Sequence, residues 1–191
     1  MKFYSIGTPM IIVLVVVVLL VIILGWYIST SNKFKRMGIK IDEALSGIDV
    51  ALTKRYDLLT KAVATAKGYA KHEQETLEKI ISMRNPGKYS TIDEKQQFAD
   101  ATSEAIKSLN VVVEQYPTLK ADSQFMAIQN QIAEVEEQLQ AARRLYNANV
   151  STYNQAIVVF PGSIVAGLMK LTKRNFFEAE SHKRDDVKIE F

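Results

Sequence analysis

His72 and Glu73 are the residues of this 191-residue chain whose types first suggest chemistry. A His-Glu pair opens the helical zinc-protease motif, where a second histidine four residues on brings both imidazoles to one metal. Position 76 is Thr76, so the motif fails. A carboxylate-bridged di-iron site in a helical bundle needs Glu-x-x-His, but Tyr69 stands three residues before His72. His182, the second histidine, lies in a charged tail. No Gly-rich phosphate loop and no Gly-x-Ser-x-Gly elbow occurs, and two histidines do not build a nucleophile–base–acid set. With no cysteine, disulfides, thiolate metal sites and lipidated cysteine are excluded. These residues specify no catalytic, cofactor or metal site, and the expectation is a protein that is not an enzyme. The plain reading of His72 is a surface or helix–helix hydrogen-bonding residue.

Other polar residues interrupt apolar stretches. Asp49, Arg55 and Asp57 fall within the strongly apolar residues 48–59, and Glu136, Arg143, Tyr146, Asn147 and Asn154 cluster later. Charges near a helix seam are costly unless paired. One expectation is an interhelical network joining Arg55 and Asp57 to Glu136 or Arg143, which would set helix register. The competing expectation, of comparable weight, is charge on a solvated face.

The element that positions all of this is the uncharged run at residues 9–28. It contains Pro9, Met10, Leu14, Leu19 and Leu24 and closes on Trp26 and Tyr27. About 20 helical residues match the ~30 Å hydrocarbon core of a bilayer. Trp26 and Tyr27 stand where an interfacial aromatic belt belongs. The run exceeds the ~7–15 residues of a signal-peptide core, which favours a retained anchor over a cleaved one. Lys33, Lys35, Arg36 and Lys40 follow it, against Lys2 and the amino terminus before it. The positive-inside rule then favours an external amino terminus and a cytoplasmic domain, with the opposite orientation left open. The same four residues could hold anionic headgroups. A net charge of +3, from 24 basic and 21 acidic residues, is too balanced to suggest nucleic-acid binding.

The rest reads as helices. Residues 32–84 carry apolar positions at steps of three and four, with Gly38, Gly47 and Gly68 as candidate bends. Asn85-Pro86-Gly87 is a turn signal. A second helix is expected over 92–115, with Phe98, Ala101, Ala105 and Leu109 on one face, ended by Tyr116-Pro117. A third over 125–160 has a near coiled-coil seam that includes Phe160. A fourth is expected over 163–177. The fold class is all-α: a transmembrane helix followed by an elongated antiparallel four-helix bundle. The divisions are a leader at 1–8, the span at 9–28, the bundle at 29–177 and a charged tail at 178–191. Residues 187–191 alternate apolar and polar, as an extended end or strap, or as a carboxyl-terminal peptide captured by a partner.

Residues 48–59, residues 67–73, Tyr116-Pro117, Leu119-Lys120-Ala121, Phe125, Glu136, residues 142–147, Tyr153-Asn154, Phe160-Pro161, Val165-Ala166 and Phe176-Phe177-Glu178 appear in an order that resembles the LemA family over nearly the whole chain. The resemblance implies an amino-terminal membrane anchor, a short external amino terminus and a helical-bundle domain. It carries no catalytic residue. This chain departs from the family where Thr60-Lys61 replaces the usual Pro-Asn, which removes a proline kink from the first helix. Some family members carry a lipobox cysteine and face the periplasm, which keeps the orientation open.

The expected function is a non-enzymatic scaffold of the bacterial envelope. Its expected partners are the lipid bilayer, further copies of itself and an unidentified envelope protein, with no nucleic acid. Alternatives are an adaptor or signalling subunit for a membrane protease or other envelope complex, a membrane-shaping assembly, and an enzyme using His72 and Glu73.

Overall fold

The computed structural model describes residues 7–87 and 90–178. Lys2 and most of the leader, His182 and the alternating segment 187–191 lie outside the described residues. The described residues form α-helices joined by turns, with one 3₁₀ turn.

Helix α1 runs unbroken over Gly7–Lys67. Its apolar beginning and the Ile48–Leu59 face expected in the first helix belong to the same helix. The helix continues through Gly38 and Gly47 without a break. The expectation of a helix reaching residue 84 is corrected at the third glycine: α1 ends at Lys67, and Gly68 and Tyr69 form a turn whose amides donate to Thr65 O and Ala66 O. A 3₁₀ turn, Lys71–Glu73, and a short helix α2, Gln74–Ile81, follow. Glycine loses the most backbone freedom in a helix, so it is where a long helix most readily stops.

Helix α3 spans Ile92–Gln115, as the spacing predicts. Thr91 caps it: its Oγ1 accepts from Glu94 N at 3.2 Å while Glu94 Oε2 accepts from Thr91 N at 2.7 Å, a reciprocal capping box. A single turn, α4 (Pro117–Lys120), uses Pro117 at its start. Helix α5 spans Ser123–Val158 and opens on Asp122, whose Oδ1 accepts from Phe125 N at 2.9 Å.

Helix α6 spans only Gly162–Leu168, and the expected helix to residue 177 is corrected. Lys170 adopts φ 53°. Leu171 N donates to Ala166 O and Lys170 N to Gly167 O, the bond pair of a Schellman ending. Residues 171–178 are not helical. The apolar residues there keep helical spacing, but the backbone has already left the helix.

The contacts divide the described residues into two compact units. One holds residues 7–40 and 151–174. The other holds residues 41–150 and 175–178. In the second, Leu59, Val63, Leu77, Leu109, Phe125 and Val135 form the heart of one apolar cluster contributed by α1, α2, α3 and α5. Tyr56 adds an edge-on contact to Phe98, and its hydroxyl reaches Met83 O at 2.6 Å.

Candidate functional site

Two places concentrate the residues singled out by the sequence, one in each unit.

The first is the polar seam of residues 41–150. Arg55 is only 4% exposed. Its Nη2 lies 2.7 Å from Glu136 Oε2 and 3.0 Å from Ser103 Oγ, and its Nη1 donates to Ala99 O at 3.2 Å. One guanidinium thus ties α1 to α3 and α5. The planar fork of arginine suits such a junction, since its donors point in fixed directions. Arg55 and Glu136 are brought together. Asp57 is exposed and outside this cluster. Arg143, also buried, stands over the Phe177 ring at 4.8 Å from the centroid, a cation–π contact.

Asp49 has a partner that the sequence reading missed. Lys95 Nζ donates to Asp49 Oδ1 and, at 3.1 Å, to Gly87 O. Lys95 is 1% exposed. The signal was available: Lys95 sits three residues before Phe98, on the stripe that continues through Thr102, Ala105, Leu109 and Val112. Ala101, expected on that face, is exposed. Gly87 has φ 87°, a conformation that favours glycine, and Asn85 Oδ1 accepts from its amide at 3.0 Å. The Asn-Pro-Gly turn therefore delivers a carbonyl to the buried ammonium. A groove of about 520 Å³ opens beside this pair, lined by Asp49, Thr53, Asp57, Asn85 and Lys95 among others.

Asn147 extends the seam. Its amide donates to Phe177 O and accepts from Phe177 N, both at 2.8 Å, as a neighbouring β-strand would. Tyr146 Oη donates to Asn175 O at 2.9 Å. Glu136, Arg143 and Asn147 follow one another at steps of seven and four, so a single face of α5 carries the ion pair, the cation–π contact and the backbone clamp. Their arrangement positions helices and a strap.

The second place lies in residues 7–40 and 151–174. Helix α1 offers a window of mean hydropathy 3.3 with none of it buried, long and apolar enough to cross a membrane. Pro9, Met10, Leu14, Leu19, Leu24 and Trp26 are exposed and Tyr27 is half-buried. Lys33, Lys35, Arg36 and Lys40 are exposed on the next turns. A recess of about 380 Å³ is lined by Ser29, Asn32, Lys33, Arg36, Met37 and Lys40. Asn154 here repeats the Asn147 device, with Nδ2 donating to Arg174 O and Oδ1 accepting from Arg174 N, both at 2.9 Å. Phe160, expected on the α5 seam, is instead 76% exposed, because α5 ends at Val158 before it. His72 is exposed on the 3₁₀ turn.

The class this arrangement defines is an all-α protein with one amino-terminal apolar helix suited to anchoring in a membrane. The chain belongs to the LemA family, whose model matches residues 44–191. It is 32% identical over 165 residues to protein LemA of Metamycoplasma hominis, covering 84% of this chain and 74% of the relative. It is also similar to magnetosome protein MamQ 2 of Paramagnetospirillum magneticum, 31% identical over 74 residues. That match covers 39% of this chain and 27% of the magnetosome protein. Magnetosome protein MamQ of Magnetospirillum gryphiswaldense is 27% identical over 73 residues, covering 38% and 27%.

Proposed function

We propose that this protein is a non-enzymatic scaffold of the bacterial envelope that self-associates and displays helix faces to an envelope partner. One observation carries the reading: the helix that supplies the apolar span also supplies Leu59, Val63 and Arg55 to the folded core. A tether needs no such continuity. The charge seam favours the same reading, since Arg55, Glu136 and Lys95 fix which helix faces turn outward. The test is the oligomeric state of the full-length protein in lipid nanodiscs, with affinity capture from envelope membranes. Multimers, or a reproducible envelope partner, are expected. A strict monomer that captures none would overturn the proposal.

The unbroken passage of α1 through Asn32 also favours an adaptor that relays movement from the span. Asn32→Pro removes a helix hydrogen bond and kinks the chain there. Under the adaptor reading it abolishes coupling to the partner while the rest stays folded; under the scaffold reading partner capture survives. We infer from Lys33, Lys35, Arg36 and Lys40 that the folded domain is cytoplasmic. Reporter fusions at the two ends test this, and an external carboxyl-terminal reporter would reverse it.

A further inference from the structure

We propose that the turn between α5 and α6 is a second membrane contact, entering the lipid interface beside the anchor. The inference rests on the anchored reading of α1 and adds a new element to it. Val158, Val159, Phe160, Ile164 and Leu168 are all exposed, with Phe160 at 76% and Leu168 at 68%. Ile164 and Leu168 are four residues apart and share one face of α6, while Val165 and Ala166 turn inward. Apolar side chains clustered in this way mark a surface that meets something apolar.

The occupant follows from what lies next to the cluster. A recess of about 270 Å³ is lined by Val159, Phe160, Pro161 and Gly162 together with Trp26, Thr30, Lys33 and Phe34. Ser31 Oγ approaches Met169 Sδ at 3.2 Å, which fixes the far end of α6 on the same stretch of α1. The exposed turn therefore sits at the level of Trp26, where the apolar span ends and the first lysine follows. The surface charge agrees. Residues 1–40 and 151–174 contain no Asp or Glu, so all 21 acidic residues of the chain lie elsewhere. Lys170, Lys173 and Arg174 follow the turn, and Lys33, Lys35 and Arg36 follow Trp26, all exposed. Apolar residues bordered by a basic collar fit the boundary between acyl chains and anionic headgroups.

The natural absence of cysteine makes the test direct. Single cysteines at Val159, Leu168 and Leu19 of the full-length protein are spin-labelled and reconstituted in vesicles of phosphatidylcholine and phosphatidylglycerol. Collision rates with oxygen, which concentrates in lipid, and with a water-soluble nickel chelate are then measured. The Leu19 label reports the anchor and the other two report the turn. We expect oxygen to dominate at all three, with the turn shallower than Leu19. A lipid-like Leu19 with the nickel chelate dominant at 159 and 168 would overturn the second contact and leave the anchor standing. Labels at 159 and 168 shielded from both reagents would also overturn it, since a protein surface would then cover the turn. A water-exposed Leu19 would overturn the anchor and this inference with it.

Discussion

Arg55 Nη2 lies 2.7 Å from Glu136 Oε2, joining α1 to α5. Glu136 is about a third exposed, so the pair is only half removed from water. Its attraction is correspondingly reduced, but Arg55 itself is buried and must be satisfied. A double-mutant cycle with Arg55→Ala and Glu136→Ala, followed by chemical denaturation, should give a coupling energy of about 1 kcal/mol. Arg55→Ala alone should cost more than Glu136→Ala, because it empties the space of a buried side chain and removes the bonds to Ser103 and the Ala99 carbonyl, both of which the guanidinium keeps when Glu136 is truncated. Additive losses would count against a direct pair.

Lys95 and Asp49 predict an asymmetry. Asp49→Ala takes the carboxylate away from a buried ammonium that still donates to the Gly87 carbonyl, and should cost about 2–3 kcal/mol. Lys95→Met keeps the apolar stem and leaves a carboxylate that reaches water, so its cost should be nearer about 1 kcal/mol. Adding Asp49→Ala to Lys95→Met should then change stability little. Equal losses for the two single variants would show that burial of Lys95 is not the controlling feature.

Helix α6 holds two glycines with opposite expectations. A Cβ on Gly162 would stand 2.6 Å from Ala156 O and 3.4 Å from the Phe34 ring. Gly162→Ala should therefore destabilise by about 1–3 kcal/mol through overpacking. A Cβ on Gly167 meets nothing within 4 Å, and Gly167→Ala should stabilise by about 0.5–1 kcal/mol. Thermal unfolding of the detergent-solubilised protein reads both. Equal shifts would mean that the start of α6 lies less tightly against the end of α5 and the Phe34 ring than these distances.

Lys170 occupies left-handed backbone at φ 53°. Lys170→Gly relieves a cost of about 1 kcal/mol at a helix ending that already has its Schellman bonds. A higher unfolding midpoint is expected. A lower one would mean that the lysine side chain contributes more than its backbone conformation costs.

Three of the described groups outside the span contribute to the dependence on pH. The Thr91 amide holds the Glu94 carboxyl below its ordinary range. The Phe125 amide, then the Tyr69 hydroxyl, hold Asp122 below its own. Each is more acidic folded than unfolded, so each contributes stability above the unfolded range that is lost as pH falls below about 4. Tyr69 is opposite in sign: donation to Asp122 raises it, so its contribution is present below about pH 10 and lost as pH climbs past that value. Asp122→Asn and Glu94→Gln should flatten the acid limb of a stability–pH curve. Tyr69→Phe should flatten the alkaline limb. Unchanged slopes would remove these groups from the account.

Much of this was legible in residue order. The bounds of α3 follow from Asn85-Pro86-Gly87 and Tyr116-Pro117, and the Thr91–Glu94 spacing carries a further signature of its start. Gly68 was a candidate bend and is where α1 stops. Arg55 and Glu136 could be proposed as partners because charges amid apolar residues need partners. Lys95 is hidden because apolar spacing does not register a cation that stays on the same helical stripe. The end of α6 was hidden because Leu171, Phe176 and Phe177 keep helical spacing, while Lys170 left the helix without a glycine to announce it. Phe160 was misplaced on the α5 seam for a related reason: its spacing fitted, but the helix had ended at Val158. Periodicity reports which residues share a face only while the backbone repeats.

The contact between Ser31 and Met169 joins residues 138 positions apart. Synthesis runs from the amino terminus, so the apolar helix leaves the ribosome long before residues 151–174 are made. Phe34, buried in the finished unit, lacks its α6 neighbour until then. A chain that stalled before Ser151 would carry its membrane segment with the adjoining packing surface bare, so α6, made more than a hundred residues after that segment, is the helix that completes the first.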